Sequence, residues 1–442
     1  MIQARDKRIV FLMKAMIAMA FIAKISLGAF LPIPRSFLFL VYQQGLHPFV
    51  NVFLCFLFGV PLMVMGLKAR GRSHISGIYK LFVYILLFVL TVQTVLQMAI
   101  VGDAEESFWM QIAALASSLL MVVIYGLIIP SLWNARDFLF FVQKWAGILV
   151  IISLFAWLAG GGAVFKGGRF IGIFKHIPHM VTCATIAFIF SLGTFSLSPS
   201  VKHKIWSLTI ILISFLAVIL TGTRSSAGAI LLAALVTVIL HRSQSNHARL
   251  FKFAAVGFAL TFTFTFGVQA FEFAKGIATG AESLAGREAQ DGVSSRWEEF
   301  ERGKDIFVEA PWLGHGLLSK FAGGGEVEVS SYNSFKDPHN IFISAGVIGG
   351  WPLLFLSVIA VVLMTVGGLK ALRGQEPVKR QIAIYLLAHI PILVIYHVHL
   401  SLGGMADRMY WLVFGFVAAN MSVIATHNSP RKKTLSTFGD AS

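Results

Sequence analysis

A basic side chain at the edge of an apolar run is the first residue of this sequence that could do chemistry on an anion. Arg224 lies in the short polar segment Thr221–Ser226, between two apolar runs. A guanidinium at a membrane–water boundary can hold a phosphate through two parallel hydrogen bonds. The alternative is an arginine that only anchors a helix end. Position alone leaves both roles open.

Other basic residues stand near the ends of apolar runs. Lys166, Arg169 and Lys175 fall in a glycine-rich segment, whereas Arg35 and Arg408 stand singly. They form either a solvated basic surface or a surface that holds a polyanionic head group.

A histidine before another apolar run could accept a proton. A free imidazole has a pKa of about 6.5, which suits His339 to proton transfer near neutral pH. It follows Asp337-Pro338, and Asn340 can cap the next helix or orient the ring. A helix-entry histidine with no chemical role is the alternative. His315, between two glycines, is the weaker candidate.

Three further histidines suggest a metal site, which we reject. His397 and His399 are two residues apart and point to different faces of a helix, and His389 is more distant. We predict that they are buried and hydrogen-bonded. The sequence has no zincin, P-loop, nucleophile-elbow or EF-hand motif, so we expect no metal and no other cofactor.

The composition indicates what must position these residues. Of 442 residues, 57% are hydrophobic and 13% are charged, against about 25% charged in soluble domains. The formal net charge of +16 is typical of nucleic-acid binding. However, the basic residues form short clusters between apolar runs, as membrane orientation requires. We therefore expect membrane lipid and no nucleic acid as partners, with Cys55 and Cys183 as buried thiols.

We predict an all-α integral membrane protein with about twelve transmembrane helices, since each span needs about 20 mostly apolar residues. The predicted spans are roughly 9–33, 48–67, 77–101, 108–132, 138–159, 176–197, 204–221, 226–240, 250–271, 340–366, 382–402 and 408–426. Residues 1–271 then carry helices 1–9, residues 272–339 form one large loop, residues 340–426 carry helices 10–12, and 427–442 form a tail.

Lysine and arginine cluster in alternate connecting segments, which predicts the orientation of the chain. The basic clusters place both termini, including the tail, in the cytoplasm and the loop 272–339 on the outer face. Within this loop we predict short helices. Ser295 and Glu298 have capping-box spacing, Phe300 and Phe307 share an apolar face with Trp297, and a turn at 311–316 ends the helix.

Several segments, in this order, resemble the O-antigen ligase family: Thr221–Ser226, Arg296-Trp297, Pro311–Gly316 and His339-Asn340. That family shares its core pattern with O-antigen polymerases and bacterial protein O-oligosaccharyltransferases. The resemblance implies a membrane-embedded, inverting glycosyltransferase that needs no metal. It also implies a glycan donor on undecaprenyl pyrophosphate and a lipid A–core acceptor, at the periplasmic face of the bacterial inner membrane.

For individual residues, the resemblance implies that His339 is the base and that Arg224 and Arg296 hold the pyrophosphate. Seven residues are further substrate-binding candidates, in no firm order: Arg35, Lys166, Arg169, His315, Asp337, Asn340 and Arg408.

The alternatives are a polymerase, a protein-glycosylating enzyme and a lipid or sugar transporter. Only a short tail follows the last predicted span, which favours ligase or polymerase over the protein-glycosylating enzymes. About twelve spans would suit a transporter. However, Lys14, Lys24 and Lys144 have no acidic partners within the spans, and the two halves show no repeat.

Overall fold

The structure is a computed structural model that describes eleven stretches of the chain. They are residues 7–22, 53, 55–68, 75–101, 105–159, 165–166, 169–174, 177–240, 293–316, 340–395 and 408–422. Arg35, Asp337, His339, His397 and His399 lie outside them, as do the predicted span 250–271, most of the loop 272–339 and the tail.

The described residues are mostly helical, which confirms the predicted helical membrane fold. Six helices among them are long and apolar enough to cross a membrane. The count of about twelve spans and the placement of the loop stay predictions.

The first six helices run through residue 158. They are α1 (Lys7–Ile22), α2 (Val60–Lys68), α3 (Gly77–Val101), α4 (Glu105–Met121), α5 (Ile129–Leu132) and α6 (Ala135–Leu158). Two π-helical segments join this group: Cys55–Gly59 leads into α2, and Val122–Ile128 connects α4 to α5. Strands β1 (Phe165–Lys166) and β2 (Arg169–Phe170) follow as an antiparallel pair.

The remaining elements include the helix predicted within the loop. They are α7 (Ile177–Leu197), α8 (Val201–Thr221), α9 (Arg224–Leu240), α10 (Val293–Glu309), α11 (Ile341–Arg373), α12 (Pro377–Ile395) and α13 (Arg408–Ala418), which a 3-10 turn (Ala419–Ser422) extends. The predicted helix in the loop is therefore present. Its predicted cap at Ser295 is wrong, because α10 already begins at Val293 and Ser295 lies in its first turn.

Helix α7 is the centre of the bundle and packs against α6, α8, α9 and α12. Several buried polar side chains at these contacts have hydrogen-bond partners, which a water-free environment favours. The Gln143 amide donates to the Ser191 hydroxyl at 2.9 Å, and the Gln381 amide donates to the Ile189 carbonyl at 2.7 Å. The Cys183 thiol is buried, as predicted, and so is His389, whose Nδ1 lies 2.7 Å from the Tyr385 carbonyl.

Short turns make consecutive helices antiparallel and define two ends of the bundle. We call the end with β1, β2 and Thr221–Thr223 the hairpin end. It contains the last residues of α3, α6 and α8 and the first residues of α4, α7 and α9. Gln381, near the start of α12, contacts the C-terminal half of α7, so α11 begins toward the hairpin end and finishes at the opposite one.

The outer face of α3 carries an apolar stripe. Its exposed side chains recur every three or four residues and are Ile78, Leu81, Tyr84, Ile85, Phe88, Val92, Val95 and Leu96. One side of the helix is thus left for lipid, and the other side packs on the bundle.

The predicted span 340–366 is not one regular helix. Helix α11 is broken at Gly349 and Gly350, and Gly350 has φ +61° and ψ −160°, a conformation that L side chains rarely adopt. Pro352 follows and has no N–H to continue the helical hydrogen bonds.

Gly350→Ala is expected to destabilise the protein by about 2–4 kcal/mol. The new Cβ would require the strained φ and would overlap the Trp312 backbone. Heating the detergent-solubilised protein and measuring the remaining monodisperse fraction tests this. Gly77→Ala, which meets no atom within 4 Å, is the control. Equal melting temperatures for the two variants would contradict the expectation.

Candidate functional site

Arg169 connects the β hairpin to the turn between α8 and α9. Its Nε donates to the Thr221 carbonyl at 2.9 Å, and its Nη2 donates to the Thr223 hydroxyl at 3.0 Å. A Cβ on Gly222 would stand 3.6 Å from the Arg169 Nε. The guanidinium therefore lies directly on the turn that precedes Arg224.

The polar segment makes this turn through local capping. The Gly222 N–H donates to the Ile219 carbonyl, and with φ +67° Gly222 has the left-handed conformation that ends many helices. The Thr221 hydroxyl donates to the Val218 carbonyl at 2.7 Å. The predicted break at Thr221–Ser226 is thus confirmed as a turn between two helices. Arg224 is the first residue of α9, where the helix dipole favours an anion.

Lys166 is the third basic residue at the hairpin end. In the hairpin it is the backbone partner of Arg169 across the two strands. The glycine-rich composition of this segment alone predicts only a loop. Two glycines between short flanking segments are, however, a signal for a two-residue hairpin turn. Lys166, Arg169 and Arg224 are therefore all carried by backbone at the hairpin end.

Asn340 is the N-cap of α11. Its Oδ1 accepts hydrogen bonds from the N–H groups of Phe342 at 3.0 Å and Ile343 at 3.2 Å. Of the two roles considered for Asn340, the structure shows the capping role. His339 therefore directly precedes a capped helix start, although its own position is outside the described residues.

Helix α10, which carries Arg296 in its first turn, packs on α11. Phe307 is buried, stands edge-on to Trp351 with ring centroids 5.0 Å apart, and lies against Gly346. The predicted apolar face of α10 is thus confirmed at Phe307. Arg296 is eleven residues earlier, about three helical turns from this contact.

His315 has structural contacts on both sides. Its Nε2 lies 2.8 Å from the Ile306 carbonyl, so this nitrogen donates, because a carbonyl oxygen only accepts. Its backbone N–H donates to the Val347 carbonyl at 2.7 Å. His315 therefore joins α10 to α11, and a role in binding substrate stays a prediction.

Arg408 is the first residue of a helix that runs toward the end of the bundle opposite to the hairpin end. This helix is α13, whose Phe414 packs edge-on to Tyr79 and whose Phe416 stacks on Phe138. Tyr79 and Phe138 are near the first residues of α3 and α6, in the opposite half of the bundle. Arg408 precedes these contacts by six to eight residues, and a substrate-binding role for it stays a prediction.

Two glutamines of α3 were missed in the sequence analysis. The Gln97 amide donates to the carbonyls of Leu313 at 2.7 Å and Gly314 at 2.9 Å, and the Gln93 amide donates to the Gly349 carbonyl. The signal was present, since two amides four residues apart share one face of a mostly apolar span.

These features define a multi-pass helical membrane protein whose hairpin end carries Lys166, Arg169 and Arg224. A protein-family model described as O-Antigen ligase matches residues 209–358, and this match supports assignment of the chain to the O-antigen ligase family. The resemblance found in the sequence is thereby confirmed. No curated protein matches the chain.

The matched region contains the features described above: the turn before Arg224, helix α10, the turn 311–316, the Asn340 cap and the break in α11. Members of this family are glycosyltransferase-like enzymes, and the family implies lipid-linked glycan substrates in a membrane.

Proposed function

We propose that this protein is an O-antigen ligase. In this proposal it moves O-antigen glycan from undecaprenyl pyrophosphate to a sugar hydroxyl of lipid A–core, at the periplasmic face of the bacterial inner membrane. The product is full-length lipopolysaccharide. Both termini are then cytoplasmic, and the hairpin end faces the periplasm.

The observation that supports this proposal most is the contact of Arg169 with Thr221 and Thr223, directly before Arg224. It fixes the start of α9 beside a hairpin that carries Lys166. A lipid pyrophosphate carries several negative charges, and guanidinium and ammonium groups at one end of the bundle suit it electrostatically.

In the proposed reaction, the acceptor hydroxyl oxygen attacks the anomeric carbon of the donor sugar. The bond from that carbon to the pyrophosphate oxygen breaks, and its electron pair leaves with the lipid pyrophosphate. His339 takes the hydroxyl proton. Attack from the face opposite the leaving group inverts the anomeric carbon.

Arg224 and Arg296 carry the electrostatic part of this mechanism. Negative charge grows on the pyrophosphate as the glycosidic bond breaks, and two guanidinium groups stabilise it without a metal ion. The packing of Phe307 on α11 ties the helix of Arg296 to the helix that follows His339. The helix that carries Arg296 and the helix that follows His339 thus form one packed unit.

A purified transfer assay tests the proposal. The protein is placed in lipid nanodiscs with a lipid-linked glycan and lipid A–core, without added metal or nucleotide. New glycosylated lipid A–core is the expected product. Glycan joined to a second lipid-linked unit would instead indicate a polymerase, and glycan on a protein would indicate a protein-glycosylating enzyme. Movement of the donor across the bilayer without a new bond would indicate a transporter.

Arg169→Met is expected to lower the rate of transfer about 10- to 100-fold, because two charge-assisted hydrogen bonds to the turn before Arg224 are lost. The rate of glycolipid formation is measured beside Arg136→Met. Arg136 is exposed and lies near the start of α6, at the opposite end of the bundle. If both variants keep the wild-type rate, Arg169 does not support the site.

A further inference from the structure

The break in α11 leaves backbone groups that a continuous helix would satisfy internally. In a regular helix the Val347 carbonyl would accept from Trp351, and the Ile348 carbonyl would accept from residue 352, which is a proline. Unsatisfied backbone groups at membrane depth cost several kcal/mol each. Such a break persists only where other groups replace these bonds.

The turn 311–316 supplies those replacements. The N–H groups of His315 and Gly316 donate to the carbonyls of Val347 at 2.7 Å and Ile348 at 3.0 Å. In return, the Trp351 N–H donates to the Pro311 carbonyl at 2.7 Å. The backbone of the turn thus replaces the interrupted hydrogen bonds of the helix.

The fit between turn and helix depends on close backbone approach. Gly314 has φ +68°, and a Cβ there would overlap the Ile348 backbone. A Cβ at Gly350 would likewise overlap the Trp312 backbone. Side chains at these two places would push the turn out of the break.

Helix α3 donates side-chain hydrogen bonds to both the turn and the break. Gln97 donates to two carbonyls of the turn, Leu313 and Gly314, whereas Gln93 donates to the Gly349 carbonyl at the break itself. Both side chains are buried, with 7% of Gln93 and 6% of Gln97 exposed. Two amides on one helix therefore hold the turn and the broken helix together. We call this set of residues (Gln93, Gln97, Pro311–Gly316 and Val347–Trp351) the joint.

We propose that Gln93 and Gln97 are positioning residues that lock the turn 311–316 into the break in α11. The turn 311–316 of the joint follows α10, which carries Arg296, and the break at Val347–Trp351 lies within the helix that begins after His339. The joint therefore keeps these two parts of the chain in a fixed register. The effect on catalysis rests on the proposed function, whereas the effect on local structure does not.

Gln97→Leu tests the proposal, because leucine keeps much of the side-chain volume and removes the donor. Hydrogen exchange in lipid nanodiscs is expected to rise about tenfold for the amides of 314–316 and 351, as for the loss of a bond worth about 1.4 kcal/mol. The kcat for transfer is expected to fall about 10- to 100-fold with the donor KM unchanged, since small displacements of reacting groups lower mainly the chemical step.

Thr94→Val is the matched control. Thr94 is buried on α3 between the two glutamines, and its hydroxyl donates to the Leu90 carbonyl of its own helix. Both its exchange pattern and its kcat should equal those of the wild type. Gly314→Ala disrupts the joint from the side of the turn, because the new Cβ would overlap the Ile348 backbone. It should reproduce the effects of Gln97→Leu. With two independent variants, the test stays decisive if one of them folds poorly.

Three outcomes separate the possibilities. Exchange in the joint equal to that of Thr94→Val, in both Gln97→Leu and Gly314→Ala, would overturn the proposal. So would faster exchange throughout α6 and α7, because Gln97 would then support the whole bundle. A wild-type protein that transfers no glycan would contradict the proposed function alone, and the exchange comparison would still decide on the joint.

Discussion

Replacing His339 by alanine is expected to lower glycan transfer by about 100- to 10,000-fold, the usual contribution of a general base. In the proposed mechanism, the variant loses the group that takes the proton from the acceptor hydroxyl. The Asn340 cap that begins α11 stays in place, so the protein should insert and fold normally. The initial rate of glycolipid formation in nanodiscs measures the effect.

The matched control for this prediction is His203→Ala. His203 is exposed near the start of α8, at the end of the bundle opposite to Thr221. The His203→Ala variant should transfer glycan at the wild-type rate. A His339→Ala protein that keeps full activity would remove His339 from the mechanism and leave the family assignment intact.

Arg224→Lys is expected to lower the rate by about 100- to 1,000-fold, as for the loss of one preorganised donor to a developing negative charge. A lysine keeps the positive charge but cannot make the two parallel hydrogen bonds of a guanidinium to a phosphate. The rate is measured at saturating donor and acceptor. Binding of the donor can then be separated from the chemical step.

The control for Arg224→Lys is the same substitution at Arg373, which is far from the hairpin end. Arg373 is exposed in the last turn of α11, opposite to the hairpin end. Arg373→Lys should leave the rate unchanged. A comparable loss in both variants would indicate a general effect of the exchange from arginine to lysine, and Arg224 would then have no special role.

Local patterns predicted those features that depend on neighbouring residues. The apolar runs matched most of the described helices, because length and hydropathy are properties of the segment itself. The junction at Thr221–Thr223 and the cap at Asn340 were also foreseen, since glycine at a helix end and asparagine at a helix start act within a few residues.

Features that depend on distant contacts could not be predicted in this way. Arg169 finds its partners 52 and 54 residues later in the chain, and no periodicity reports such a pairing. The break in α11 has a local signal in Gly349, Gly350 and Pro352. Its stability nevertheless depends on the turn 311–316 and on the two glutamines of α3, which only the folded chain brings together.

The apolar stripe on α3 relates this protein to the thickness of its membrane. From Ile78 to Leu96 the stripe is about 27 Å long at 1.5 Å per residue, close to the hydrocarbon depth of an ordinary bilayer. A thinner bilayer is accommodated by tilting of the helix. The same helix carries Gln93 and Gln97 on its inner side, where they donate hydrogen bonds to the turn 311–316 and to the break in α11. We therefore expect tilting of α3 in a thinner bilayer to disturb the joint, so that lipid composition would influence the proposed activity.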